Sequence, residues 1–331
     1  VKARVVSGMR PTGQLHLGHL VGALKNWVPL QDQYECFYFV ADWHALTSEY
    51  ADTSRIVPST YEMVADWIAA GLDPEKSTFF VQSLVAEHAE LFLLLSMVVP
   101  VPWLERVPTY KEQQETLKDR DLSTYGFLGY PLLQTADVAI YDARFVPVGA
   151  DQVAHLELSR EAVRRFNNFF GEVLVEPQPL LTAVSRLPGL DGDKKMSKSI
   201  GNTIHLSDDA ETVRKRVMQM YTDPKRIRAD IPGTVEGNPV FVYHDTFNPD
   251  AAEVEDLKTR YRAGKVGDVE VKTKLAKALN AHLDPIRARR AEVLSRPGLV
   301  KEILHEGSKK ARGVAEQTME RVRAAVKLRY V

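Results

Sequence analysis

Short runs of residues with no polar face, above all Cys36-Phe37-Tyr38-Phe39-Val40, constrain this chain more than any other feature. A strand that is apolar on both sides must be covered on both sides, as happens inside a parallel sheet sandwiched by helices. Arg4–Ser7, Glu35–Val40, Thr78–Gln82 and Phe145–Val148 are the strand candidates. Amphipathic helical patterns lie between and after them, over Leu20–Leu30, Ser54–Ala70, Ala86–Val99, Gly129–Tyr141 and Asp151–Phe170. This alternation predicts an α/β fold with a doubly wound parallel sheet. Such sheets bind ligands at the carboxyl ends of their strands, so the loops after Val6, Val40 and Val148 are the informative ones. Beyond Gly201 the strand signal stops. Ala210–Tyr221, Ala251–Ala263, Val269–Ser295 and Leu299–Val331 read as helices around a Pro/Gly-rich stretch at Ile231–Pro239, which predicts an α-helical second domain.

His16-Leu17-Gly18-His19 follows the first strand and opens the first helical pattern. A strand-to-helix turn presents backbone N–H groups at the positive end of a helix dipole, which attracts phosphate. Residues three apart share a face, so both imidazoles can donate to phosphate oxygens. Gly18 lets a flat ring lie on the backbone, and Arg10-Pro11-Thr12-Gly13 supplies further donors. Lys195-Met196-Ser197-Lys198-Ser199 lies in the Gly- and Asp-rich segment Gly189–Gly201 and brings cations and hydroxyls. A nucleoside triphosphate fits between such a rigid turn and such a mobile loop. Alone, each piece has a blander reading, as a metal pair on a helix or a solvated loop. The histidines lack a third and fourth ligand nearby, so no metal site is expected; Mg²⁺ would ride on the triphosphate.

Two further elements carry chemistry. Val146-Pro147-Val148-Gly149-Ala150-Asp151-Gln152 runs from a strand end into a helix N-terminus. Gly149 permits close backbone approach there, and Asp151 can cap the helix, accept ribose hydroxyls, or do both. Tyr130, Gln134 and Asp137 fall at i, i+4 and i+7 and share one face of an otherwise apolar helix. Buried polar groups need partners, so a hydroxyl, an amide and a carboxylate left open there invite a ligand. His44, just after a strand end, divides evenly between a core histidine and a site residue.

The composition, 44% hydrophobic and 26% charged over 331 residues, is that of an ordinary globular protein with room for a large and a smaller domain. No apolar run approaches a membrane span, and no signal-peptide pattern opens the chain. A single cysteine, Cys36, excludes an internal disulfide and fits a reducing compartment. The net charge of −1 is uninformative, but Lys272–Val331 holds 15 Lys/Arg against 6 Asp/Glu. Arg287, Arg289 and Arg290 form a cationic cluster there. It reads equally as a polyanion contact or as a paired helix face.

The two signatures His16-Leu17-Gly18-His19 and Lys195-Met196-Ser197-Lys198-Ser199, in that order, resemble those of the class I aminoacyl-tRNA synthetases. From Ser7 to about Leu328 the chain resembles the bacterial-type tryptophanyl-tRNA synthetases. Ser7-Gly8-Met9-Arg10-Pro11-Thr12-Gly13, Ala41-Asp42-Trp43-His44-Ala45-Leu46-Thr47, Met220-Tyr221-Thr222-Asp223 and Glu306-Gly307-Ser308-Lys309-Lys310-Ala311 carry that resemblance. It implies a Rossmann-like catalytic domain over 1–188, onto which 296–331 packs back. It also implies a mobile loop over 189–203, a helical anticodon-binding domain over 204–295, and a cytoplasmic homodimer. The implied reaction joins ATP and L-tryptophan as tryptophanyl-adenylate and passes the acyl group to tRNA(Trp).

The resemblance also assigns residues. His16, His19, Lys195 and Lys198 would be catalytic. Arg10, Pro11, Thr12, Gly18, His19, Gly149, Ala150, Asp151, Leu187, Lys195, Met196, Ser197, Lys198 and Ser199 would meet ATP. Val6, His44, Tyr130, Gln134, Asp137, Val146, Val148 and Gln152 would meet tryptophan, with Asp137 accepting the indole N–H and Tyr130 and Gln152 holding the amino group. The chain has Arg10 where the family often has Gln, and Gln134 where many relatives have Met. Tyr-x-x-x-Gln-x-x-Asp is also a tyrosyl-tRNA synthetase pattern, so a tyrosyl enzyme is one alternative. A small-molecule nucleotidyltransferase and a non-catalytic synthetase paralogue are the others.

Overall fold

The computed structural model describes residues 2–107, 121–149, 153–181, 187–192, 196 and 200–330. Among them β1 (Arg4–Met9), β2 (Glu35–Val40), β3 (Ser77–Val81), β4 (Phe145–Val148) and β5 (Gln178–Leu181) form one parallel sheet, in the order β3-β2-β1-β4-β5. The apolar run at Cys36 is the reason β2 lies inside: five of its six residues are buried. β1 pairs with β2 on one side and β4 on the other, Val6 opposite Phe37 and Val5 opposite Phe145. The winding therefore reverses between β1 and β4, and a crevice opens where loops diverge from that switch.

The helices are α1 (Leu17–His19), α2 (Lys25–Gln33), α3 (Asp42–Glu49), α4 (Ile56–Ala69), α5 (Glu87–Ser96), α6 (Val101–Glu105) and α7 (Tyr125–Ala139). They continue with α8 (Val153–Phe170), α9 (Ala210–Met218), α10 (Pro239–Phe247), α11 (Ala251–Arg262), α12 (Asp268–Leu294) and α13 (Leu299–Ala325). A π-helical turn, Leu20–Leu24, joins α1 to α2.

Several differences from the sequence expectation have local causes. α7 starts at Tyr125 rather than Gly129, because the Thr124 hydroxyl accepts the Phe127 N–H at 3.3 Å and caps it. The Pro/Gly-rich stretch ends in helix α10, with Asn238 as its cap and Pro239 in its first turn, where a missing N–H costs nothing. β5 has only four residues and a proline, which an edge strand tolerates. α3 was not anticipated. Its Asp42 carboxylate accepts the N–H groups of Trp43 and Ser83, each at 3.1 Å, and ties the helix start to the end of β3.

Large aromatic side chains fill both faces of the sheet. On one, Trp27 stacks on Tyr38 at 4.7 Å and meets the edge of Trp67 at 5.7 Å, and the Tyr38 hydroxyl donates to the Trp27 carbonyl at 2.9 Å. On the other, Phe37 stacks on Tyr141 at 5.1 Å, with Phe80 edge-on to the same ring. Burying one such side chain contributes about 1.5–3 kcal/mol, so these rings dominate the core.

The arginine cluster on α12 is occupied from within the chain. Arg289 Nε donates to the carbonyl of Ala69 at 2.6 Å, an acceptor that the last turn of α4 leaves over. Arg290 pairs with Asp66 at 2.7 Å and with Glu62, and Arg287 with Asp284 and the Asp208 carbonyl. Arg287 and Arg290 therefore have carboxylate partners within the chain, as the paired-face reading has it, whereas Arg289 is exposed and among the described residues meets only a carbonyl.

Helix α13 covers the edge strand β3. Ser308 accepts the Val81 N–H at 3.2 Å, which satisfies a donor that the sheet leaves open. Beside it, Gly307 lies so close that a Cβ would collide with the Phe79 carbonyl oxygen, whereas Gly313, on the same helix, has open space around it. The two glycines should respond to alanine with opposite signs. Gly307→Ala should destabilise by about 1–3 kcal/mol through overpacking, and Gly313→Ala should stabilise by up to about 1 kcal/mol through helix propensity. Urea midpoints of the two variants check this; equal shifts would mean that α13 docks without the close approach.

Candidate active site

The carboxyl ends of β1, β2 and β4 and one face of α7 enclose a cavity of ≈ 410 Å³. Val6, Val146 and Val148 supply apolar wall, with Phe39 beside them. Arg10, Thr12 and His19 line one end, and His44, Tyr130, Gln134 and Asp137 the other. His16, Pro11, Gly18, Leu187 and Met196 are not part of the described lining, and Gly149 follows Val148 at the strand end. Ala150, Asp151, Gln152, Lys195, Ser197, Lys198 and Ser199 lie outside the described residues.

At the first end the histidines organise the helix start through each other. His16 Nδ1 accepts the Gly18 N–H at 3.1 Å, and His19 Nδ1 accepts the His16 N–H at 3.2 Å, with the rings 3.8 Å apart. This reciprocal cap uses both Nδ1 atoms as acceptors, so the hydrogen-bond pattern places the imidazole hydrogens on Nε2. Gly18 is required here because a Cβ would press on the His16 ring. The Gly18 N–H also lies 3.3 Å from Met196 Sδ, which is buried.

Backbone pairing reinforces that meeting of distant segments. Leu17 donates to the Ile204 carbonyl at 3.0 Å, and Leu206 to the Leu15 carbonyl at 2.9 Å. Leu190 donates to the Asn202 carbonyl at 3.1 Å, and Asn202 donates to both Asp191 oxygens, so the ends of the Gly189–Gly201 segment are held together. The Leu15 N–H donates to Asp66 Oδ2 at 3.2 Å, while Arg290 holds Oδ1. Burial pushes the Asp66 carboxyl above its ordinary value despite the opposing pull of Arg290 and Leu15.

The second end differs from expectation in one respect. Asp137 is not a carboxylate without partners of its own. It is fully buried, and it accepts from Gln82 Nε2 at 2.7 Å, His88 Nδ1 at 2.6 Å and His44 Nε2 at 2.7 Å. Burial alone would raise its carboxyl, but the His44 and His88 contacts outweigh that and bring it down to about 2. His44 is therefore both a core histidine and a cavity wall, edge-on to Tyr130 at 6.4 Å. Gln82, His88 and Tyr141 were missed. Gln82 follows the carboxyl end of β3, so the strand-end rule could have found it. His88 and Tyr141 lie inside ordinary-looking helical patterns, and nothing local marks them.

The lowered Asp137 carboxyl has a stability consequence. Its contribution is present above the unfolded value of about 3.9 and is lost as pH falls toward about 2. Asp137→Asn should therefore cost on the order of 2 kcal/mol at neutral pH, and should flatten the decline in urea midpoint between roughly pH 4 and pH 2. A variant whose acid profile parallels the parent would remove Asp137 from the groups that drive acid unfolding.

Comparison with known proteins accords with this geometry. The family model described as tRNA synthetases class I (W and Y) matches residues 1–284. The tryptophan–tRNA ligase of Thermotoga maritima is 50% identical over 328 residues, covering 99% of this chain and 100% of that one. That of Treponema pallidum is 49% identical over 327 residues, covering 98% and 97%. The crystal structure of Campylobacter jejuni tryptophanyl-tRNA synthetase complexed with ADP and tryptophan superposes with a TM-score of 0.87 at 34% identity, covering 98% and 99% of the two chains. The chain belongs to the class I tRNA synthetases of the tryptophan and tyrosine group, within the tryptophan–tRNA ligase family.

Proposed function

We propose that this chain activates L-tryptophan with ATP and transfers the tryptophanyl group to tRNA(Trp). The observation that carries the reading is a single cavity with phosphate-type donors at one end and a buried, anionic acceptor at the other. Tryptophan lies among Val6, Val146 and Val148 with its indole N–H on Asp137, and Tyr130 and Gln152 receive its ammonium. His44 and Gln134 complete that wall. ATP lies toward Arg10, Thr12 and His19, with adenine over Gly18 and the ribose toward Gly149, Ala150 and Asp151. Pro11, Leu187, Met196 and Ser199 frame the nucleotide.

No protein nucleophile is required. An oxygen of the tryptophan carboxylate attacks the α-phosphorus, the bond from that phosphorus to the bridging oxygen breaks, and pyrophosphate leaves with its Mg²⁺. Catalysis consists of positioning and charge stabilisation. His16 and His19 donate to α-phosphate oxygens, and Lys195, Ser197 and Lys198 meet the charge gathering on pyrophosphate. A ribose hydroxyl of the tRNA terminus then attacks the acyl carbon and releases AMP.

In this reading residues 1–188 and 296–331 form the catalytic domain, 189–203 the mobile loop, and 204–295 the part that meets the anticodon. The working unit is a homodimer in a reducing, cytoplasmic setting.

ATP–pyrophosphate exchange with all twenty amino acids tests the assignment. Exchange driven by tryptophan supports it, exchange driven best by tyrosine replaces it with the tyrosyl alternative, and no exchange with any of them leaves a binding module. Lys195→Ala should lower kcat for exchange on the order of 10²–10³-fold with little change in the KM for tryptophan, because its charge meets charge that develops only in the transition state. An unchanged kcat with a raised KM for ATP would place Lys195 on ground-state phosphate instead.

A further inference from the structure

The two oxygens of Asp137 have different surroundings. Oδ1 accepts from Gln82 at 2.7 Å and from His88 at 2.6 Å, which occupies both of its lone pairs. Oδ2 accepts only from His44 among the described residues, at 2.7 Å, and so keeps one acceptor position in a residue that borders the cavity.

The donors on Oδ1 are locked in direction. Gln82 Oε1 accepts the Trp43 N–H at 3.1 Å, which orients the amide with its NH₂ toward Asp137. His88 is fully buried, and its Nε2 lies 2.6 Å from the Tyr141 hydroxyl. Burial pushes that phenol well above its ordinary value, so it keeps its hydrogen, and among the described residues its only hydrogen-bond partner is the His88 ring. Tyr141 therefore donates to Nε2, which leaves the ring's hydrogen on Nδ1 to be given to Asp137. Hydroxyl, imidazole and carboxylate form a chain with one direction.

We propose that His88, oriented by Tyr141, is a positioning residue that sets amino-acid specificity. It fills Oδ1 and so keeps Asp137 an anionic, acceptor-only group whose remaining lone pair on Oδ2 admits a side chain bearing an N–H and rejects one without it. The proposal rests on the reading that the indole N–H meets Asp137. Without the His88 donor, Oδ1 becomes a buried unsatisfied acceptor. The carboxyl group then turns or takes up a proton, and an acid that can donate no longer discriminates in favour of N–H.

The test compares kcat/KM in pyrophosphate exchange for tryptophan and for β-(benzothiophen-3-yl)alanine, which has sulfur in place of the indole N–H. The parent protein should prefer tryptophan by about 10²-fold or more. If it does not, the reading of Asp137 as the indole acceptor fails first, and the His88 proposal with it. Given that preference, His88→Leu should lose roughly tenfold or more of it while the KM for ATP stays within about twofold. His88→Asn, whose side-chain amide can replace Nδ1 as donor, should retain most of it, and Tyr141→Phe should lie between. A folded His88→Leu with the parental ratio overturns the proposal and leaves His88 as packing. Should His88→Leu not fold, the other two variants decide. A partial loss of preference in Tyr141→Phe with retention in His88→Asn supports the chain of donors, and any other pattern overturns it.

Discussion

Two backbone hydrogen bonds, Leu17 to the Ile204 carbonyl and Leu206 to the Leu15 carbonyl, hold together what the rest of the site depends on. All four residues are buried, so these groups have no water to turn to, and breaking the pairing would strand polar backbone in the core. The pairing joins the turn after β1 to the stretch 204–206. It brings Met196 against Gly18, and it makes Met196 part of the same core as Leu15 and Leu17. Because the bonds are between backbone groups, they fix where the two segments lie without prescribing their side chains.

A buried carboxylate extends that constraint to the helix α12. Asp66, on α4, holds the Leu15 N–H with one oxygen and Arg290 of α12 with the other. A buried ion pair is a poor source of net stability, because desolvation offsets much of the attraction, but removing one partner leaves the other uncompensated. Its effect is therefore geometric. The long helix α12 and the turn before His16 share one anchor, so a change in the packing of either is felt by the other. The same pairing gives the Arg290 charge its partners inside the chain.

The two ends of the cavity use opposite means. At the end lined by Arg10, Thr12 and His19, donors are preorganised by a helix start in which two imidazoles cap each other, so donor positions exist before any ligand arrives. At the other end, charge is retained in the interior because three donors surround one carboxylate. An anion there without them would protonate or move toward water. The apolar wall of Val6, Val146 and Val148 between the ends keeps the surroundings of low polarity, which strengthens both kinds of interaction.

Much of this was legible in the chain alone. The apolar runs determine a parallel sheet covered on both faces, since a strand such as Cys36–Val40 has no side to offer water, and that in turn directs attention to the strand ends where the cavity lies. Capping residues such as Thr124 and Asn238 are local signals too, though they move helix boundaries by a few residues. The face Tyr130–Gln134–Asp137 follows from helical periodicity. The partners of Asp137 do not, because Gln82, His88 and His44 come from three other segments, and only packing decides which buried donor faces which acceptor. The same holds for Arg290, whose charge is visible in the sequence and whose buried partner is not. Sequence periodicity determines which faces are apolar and which polar groups they carry. Tertiary structure decides whether those groups are offered to a ligand or consumed inside, because hydrogen-bond satisfaction is a property of neighbours in space.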